Sequence, residues 1–198
     1  MATTDHDRVR RAMMTAFAAV PLSAVAGTSS AGGELRRTGS RTLVAYFSRS
    51  GNTRVVAGLI HRALGTDLFE IRPAAPYPED YLQTVEQARR ERDSGDEPPL
   101  EASVSNMASY DTVFLGFPIW GETAPPVIRA FLATHDIAGK ALIPFVTHGG
   151  YGLGSSQSVL ASHAPKADLR QGFVMEADQE RRTMNRVTDW LKGVEART

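Results

Sequence analysis

Ser48-Arg49-Ser50-Gly51-Asn52-Thr53 sets three hydroxyl side chains and a glycine between a short apolar run and an amphipathic stretch. Leu43 to Phe47 read as an inner strand, and Val55, Val56, Leu59, Ile60, Ala63 and Leu64 recur at helical spacing. A turn at that junction can hold a phosphate monoester. The first amides of a helix have no partner of their own, and Ser48, Ser50 and Thr53 can add hydroxyl donors. Gly51 lets the backbone come close or take a positive φ. Arg49 either adds charge at the rim or points to solvent. The same segment also suits an ordinary strand-to-helix connection, with Asn52 or Thr53 as a cap.

The wider sequence narrows the chemistry. No Gly-x-x-x-x-Gly-Lys-Ser/Thr run is present to wrap a triphosphate, and no Gly-x-Gly-x-x-Gly run follows a strand, so a short phosphate tail fits better than a pyrophosphate. Ser48 follows a strand but has no Gly-x-Ser-x-Gly elbow around it, which argues against a hydrolase nucleophile. The chain has no cysteine, excluding disulfides, thiolate catalysis and cysteine-held iron–sulfur clusters. Redox work would therefore need an organic cofactor. His6, His61, His135, His148 and His163 show no helical metal-ligand pairing, and no metal is expected. Residues 41–198 hold 19 acidic and 17 basic side chains, a net charge of −2 that offers no general attraction for nucleic acid.

The elements that must position this turn follow in alternation. Asp67 to Ile71 suggest a second strand, and Pro73, Pro76 and Pro78 a loop. Residues 79–92 form a largely polar helix with Tyr81, Leu82, Val85 and Ala88 expected inward and its charges solvated. Thr112 to Phe117 read as the central strand, and Val127, Ile128, Phe131 and Leu132 as a helix face. Ala141 to Thr147 form a further strand in which Pro144 is awkward, Leu169 to Met175 hold the last, and residues 179–194 close the domain as a helix with Met184, Val187, Trp190 and Leu191 inward. Five strands alternating with helices predict an α/β sandwich with a parallel sheet. Ligands of such sheets gather at the carboxyl ends of the strands.

Residues 1–40 differ in character. Arg8, Arg10 and Arg11 precede an apolar run from Ala12 to Leu22, and Ala24-Val25-Ala26 suits peptidase cleavage after Ala26. Residues 1–26 thus read as an export signal that resembles the twin-arginine type. Val9 before the arginine pair and Met13-Met14 after it depart from that pattern. The expected destination is periplasmic or otherwise extracytoplasmic. A disordered tail or a misassigned start would instead leave the domain cytoplasmic. Residues 27–40 are rich in Gly, Ser and Thr and read as a flexible tether to a domain spanning 41–198, with no later apolar stretch of membrane length.

Three segments together carry a family resemblance: YFSRSGNT at Tyr46 to Thr53, GFPIWGETAPP at Gly116 to Pro126, and FVTHGGYGLGSS at Phe145 to Ser156. The chain resembles the flavodoxin-like family, especially bacterial members. That resemblance implies a three-layer sandwich with a five-stranded parallel sheet of order 2-1-3-4-5 and flavin mononucleotide (FMN) at its edge. Ser48, Ser50, Gly51 and Thr53 match the polar and glycine positions of the family's phosphate loop, with Ser50 in place of a more usual threonine. Arg49 and Asn52 lie in the same loop. Pro118, Ile119, Trp120 and Gly121 are assigned to the isoalloxazine region, with Trp120 as ring cover or else as a core or oligomer contact. Gly149, Gly150, Gly152 and Gly154 would let amides approach the pyrimidine edge. Tyr151 is a second stacking candidate. His148 would contact the flavin edge, relay a proton or fix its own loop.

The resemblance implies an FMN-dependent electron carrier or oxidoreductase with a partly exposed ring, no protein nucleophile, and a redox partner protein or small-molecule electron acceptor. Two alternatives remain open from sequence: an NAD(P)H-dependent quinone or small-molecule reductase, and a non-enzymatic cell-envelope binding domain that keeps the fold.

Overall fold

The structure is a computed structural model describing residues 35–36, 39–176, 187 and 189–194. The expected leader at 1–26, much of the tether and Met184 lie outside the described residues. Strand β1 is Leu35–Arg36, β2 Thr42–Tyr46, β3 Asp67–Glu70, β4 Thr112–Pro118, β5 Ala141–His148, β6 Asp168–Leu169 and β7 Phe173–Glu176. Helices α1 (Asn52–Leu64), α2 (Tyr81–Ser94), α3 (Pro126–Thr134) and α4 (Ser156–His163) connect them, and residues 189–194 are helical. The chain continues past β3 through a loop and α2 to a 3-10 turn at Met107–Ser109 before β4.

The sheet order is β1-β3-β2-β4-β5-β6, with β7 also on β5. The contacts among β3, β2, β4, β5 and the last pair are all parallel. Counting β6 and β7 as one interrupted strand gives the expected five-stranded order 2-1-3-4-5. One addition extends it: Leu35–Arg36, inside the segment expected as tether, pairs antiparallel with β3 along the outer edge.

Pro144 explains the interruption. Leu142 accepts from Arg170 N, so residues of that parity in β5 face the last strand. Pro144 therefore lacks its amide on that side, and the ladder breaks between Leu169 and Phe173. Gly172 passes so close that an added Cβ would lie 1.9 Å from the Pro144 carbonyl oxygen. The proline is accommodated by a kink in its neighbour, and β5 itself keeps its register with β4.

Alternation along the strands builds two cores. Leu43, Ala45 and Phe47 face one layer, with Phe69, Val113, Leu115, Phe117, Ile128 and Phe131. Val44 and Tyr46 face the other, with Val56, Ile60, Phe114, Phe145 and, from the closing helix, Val187 and Leu191. Each fully buried side chain of this size contributes about 1.5–3 kcal/mol. Trp190 packs edge-on to Phe114 at 5.6 Å between ring centres and tilted over Phe173 at 5.5 Å, as its inward position predicts.

Helix α2 corrects the sequence reading. Thr84 and Ala88 are its buried residues, whereas Tyr81, Leu82 and Val85 are exposed. Its period gives the face but not its cover, and the apolar side lies along an open cavity. Val55 on α1 is likewise exposed, at the edge of an otherwise buried stripe. Helix α4 was not anticipated. Only Ser156 and Leu160 of its eight residues are buried, which leaves too short an apolar signal to read.

Candidate functional site

Three loops meet where β2, β4 and β5 end at their carboxyl edge. Backbone bonds lock their bases together: Phe47 N donates to Gly116 O at 2.8 Å, and Ile119 N donates to Thr147 O at 2.8 Å. A cavity of about 670 Å³ opens there, within the range of small-ligand sites. Arg49, Ser50, Pro118, Ile119, Trp120, Gly121, His148, Gly149 and Tyr151 line it. Nine of the sixteen residues singled out by sequence thus share one space. Ser48, Gly51, Asn52 and Thr53 flank Ser50 in the first loop and the first turn of α1, and Gly150, Gly152 and Gly154 follow in the third loop, none of them forming the cavity wall.

In the first loop, Gly51 caps α1 at φ 96°, a left-handed conformation that favours glycine. Ser48 Oγ accepts from Gly51 N at 3.2 Å and Arg54 N at 3.3 Å. Its lone pairs are engaged and its own proton is left to donate, polarised by the two amides behind it. The amides of Asn52 and Thr53 have no acceptor among the described residues, as expected at a helix start. The Thr53 side chain is buried and its hydroxyl pairs with Thr147 Oγ1 at 2.9 Å, so it ties α1 to β5 from inside the fold. Arg49 is exposed, and its guanidinium donates to Glu79 O in the loop ahead of α2.

The second loop turns back on itself. Trp120 and Thr123 exchange backbone bonds of 3.0 and 3.2 Å around Gly121 and Glu122, whose φ values are 55° and 63°. Positive φ at both central positions is the I′ geometry, and Glu122 alone of the described non-glycine residues adopts it. Trp120 stands edge-on to Phe47 at 5.2 Å and to Tyr77 at 4.9 Å, both at 83°. It is therefore cavity wall and packing partner at once. Tyr77 was not singled out by sequence. Burial first, then its bond to the Glu91 carboxylate, hold its phenol far above the ordinary value, so it stays a neutral donor.

Thr123 also escapes the sequence reading, as do Glu122, Pro126 and the α2 residues of the cavity wall. It lines the cavity, is 5 % exposed, and its Oγ1 has no hydrogen-bond partner among the described residues. A buried hydroxyl without a partner is costly unless a ligand or water satisfies it.

The third loop is tied to the second. Glu122 O accepts from Ser155 N at 2.8 Å and from Ser155 Oγ at 3.3 Å. A Cβ at Gly154 would lie 1.9 Å from that same carbonyl oxygen, so the close approach requires glycine. His148 Nδ1 accepts from Gly150 N at 3.0 Å, which fixes the loop and leaves the neutral ring's proton on Nε2. Tyr151 is 79 % exposed at the mouth.

The far wall is α2, contributing Tyr81, Thr84, Val85, Ala88, Arg89 and Arg92. At the end of β3, Glu70 binds Arg54 and, at 2.8 Å, Arg72. Burial alone would raise its carboxyl, but the two arginines hold it below the usual carboxylate range. Among the described residues no cluster of His, Asp or Glu could hold a metal, and no helix is long and apolar enough to cross a membrane.

A family model described as flavodoxin matches residues 41–194. A protein from Bacteroides eggerthii with a provisional flavoprotein name is 32 % identical in sequence, and its solved structure superposes with a TM-score of 0.68 over 78 % of this chain and 97 % of its own. A similarly named protein from Bacteroides uniformis is 31 % identical, with a TM-score of 0.66 over 81 % of this chain and 99 % of its own. A Lactobacillus acidophilus flavoprotein, solved in complex with FMN, shares the fold at 21 % identity, with a TM-score of 0.59 over 73 % of this chain and 97 % of its own. Among curated proteins, none matches.

Proposed function

The chain belongs to the flavodoxin family, and from that premise we propose that it binds FMN across its three loops and carries electrons through the exposed edge of the ring. The observation that supports this most is the donor set at the start of α1. Two amides without acceptors among the described residues, the Ser48 proton and the Ser50 hydroxyl belong to one turn at a left-handed glycine. Dipoles and hydroxyls suit a phosphate monoester there. The positions of added Cβ atoms at Gly51, Gly149 and Gly152 fall in open space, which backbone-to-ligand contact can use. The unpartnered Thr123 hydroxyl gives the cavity wall a polar group awaiting a ligand atom.

Bound FMN supplies reversible one- and two-electron chemistry, and the protein tunes it. Trp120, braced by Phe47 and Tyr77, would cover the ring face. Of the turn at Gly121 and Glu122 only the amides would be available to the ring, since Glu122 O accepts from Ser155 and Gly121 O lies 3.5 Å from Arg92 Nη1. The amides of the third loop would favour negative charge on the flavin, and His148, anchored by Gly150, would offer Nε2–H. No protein nucleophile is required. The α2 residues on the cavity wall favour a second reading, in which reduced nicotinamide and a quinone or other small acceptor would use the same ring face in turn. A redox partner protein remains the first reading for electron delivery.

Export of the domain is part of the proposal, supported by the arginines at 8, 10 and 11 ahead of the apolar run and by the Ala24-Val25-Ala26 site. Sequencing the N-terminus of protein recovered from its native cells tests it, and an uncut leader in a cytoplasmic fraction overturns it.

The cofactor reading is tested by titrating flavin-free protein with FMN and with riboflavin and following flavin fluorescence. Tight FMN binding that S50A weakens much more than riboflavin binding supports it. A folded protein with no affinity for either flavin overturns it in favour of a binding domain. Stopped-flow mixing with NADH and NADPH then separates a reductase from a carrier.

A further inference from the structure

Tyr81, Val85, Ala88 and Arg92 recur on α2 every three or four residues, Arg89 stands next to Ala88, and all five line the cavity. They form one face about 16 Å long. Its first half is apolar and uncovered: Tyr81 is 67 % exposed and Val85 46 %. Its second half ends in two guanidinium groups. Arg92 Nη1 lies 3.5 Å from Gly121 O, so that cation stands beside the ring loop and not at the outer rim. Arg49 brings a third cation to the same space, against Glu122 as the carboxylate on the wall. Asp93 pairs with Arg92 at 2.8 Å and with Arg89 at 3.7 Å, one acid shared by two cations. The wall therefore keeps a positive balance next to an aromatic and aliphatic floor.

We propose that the α2 wall is a second ligand subsite, for a planar aromatic molecule bearing one carboxylate or sulfonate. The ring lies over Tyr81, Val85 and Ala88, and the acid group meets Arg89 and Arg92. Guanidinium groups bind such acids through paired, charge-assisted hydrogen bonds, and a flat apolar floor selects a ring. The proposal rests on the FMN reading in one respect: the cofactor occupies the loop side of the cavity and leaves α2 free.

The test uses the full chain saturated with FMN, titrated calorimetrically with 2-naphthalenesulfonate and with its neutral analogue 2-naphthalenemethanol. The sulfonate should bind at least tenfold more tightly. R89Q/R92Q should erase that preference. Arg89 is a surface side chain, so R89Q alone serves if the double variant fails to fold, and it should cost the sulfonate at least threefold. Equal affinity for the two probes, or a preference that survives these substitutions, overturns the proposal. Binding of the sulfonate to flavin-free protein only, with displacement by FMN, also overturns it while leaving the FMN reading intact. Arginine-dependent sulfonate binding by a chain that takes no FMN would support the subsite and refute the cofactor assignment.

Discussion

The hydroxyl oxygens of Thr53 and Thr147 lie 2.9 Å apart in a buried contact that fastens the first turn of α1 to the end of β5. Removing one partner strands the other without water, which costs about 1–3 kcal/mol. T53V and T147V should each destabilise the fold by that order in urea denaturation. The double variant should lose less than the sum, since neither hydroxyl is then left alone. Strictly additive losses would show that the pair has no coupling.

Trp120 has two tasks, and two substitutions separate them. W120A removes edge-on contacts to both Phe47 and Tyr77, so it should lower stability by about 3 kcal/mol as well as change flavin fluorescence. W120F keeps most of the packing while changing the ring that faces the cavity. It should shift flavin fluorescence and reduction potential with a much smaller fall in Tm. A W120F protein with unchanged flavin properties would leave Trp120 to the core alone.

What sequence revealed and what it withheld follow from range. The strands at Leu43–Phe47 and Thr112–Phe117, and the loops after them, announce themselves through local apolar runs ending in polar or glycine-rich turns. Their meeting point follows from parallel topology. The role of α2 was hidden because Tyr81, Val85 and Ala88 show the same helical spacing whether they face a core or a ligand space. Thr123 was passed over because its burial and its missing partner exist only once the Trp120 turn has closed. Tyr77 stands among prolines that read as loop, and its value comes from Trp120, 43 positions further on. Pro144 is legible as an awkward residue in an inner strand, but its effect falls on the neighbouring strand, which local patterns cannot show.

Glu122 holds φ 63° at the second central position of a turn whose first is Gly121. A non-glycine residue in that region stores about 1 kcal/mol of strain. E122G should therefore raise stability by about 0.5–1 kcal/mol, because the bonds from Ser155 go to the Glu122 carbonyl and survive the change. G154A should do the opposite, losing about 2–3 kcal/mol as its Cβ is driven against that carbonyl. Thermal unfolding of the two variants checks both signs. A destabilised E122G would mean that the Glu122 side chain itself holds the turn.

His135 makes stability depend on pH. Its Nε2 accepts from Val104 N at 2.9 Å, its Nδ1 faces Phe131 O at 2.8 Å, and its ring lies 4.3 Å from that of Phe131. The neutral tautomer satisfies both bonds, whereas protonation would set Nε2–H against the Val104 amide. Burial, the largest cause, pushes its pKa below the ordinary 6.5, although the Phe131 carbonyl works the other way. The unfolded chain then takes up the proton first, so the stabilisation is complete above about pH 6.5 and declines as the pH falls through the window below it. The limiting slope for one proton is about 1.4 kcal/mol per pH unit. Urea midpoints measured from pH 7.5 to 4.5 should fall more steeply for the native sequence than for H135Q, whose amide oxygen can still accept from Val104 but does not titrate. Parallel curves for the two proteins would show that His135 is protonated in the folded state as readily as in the unfolded one.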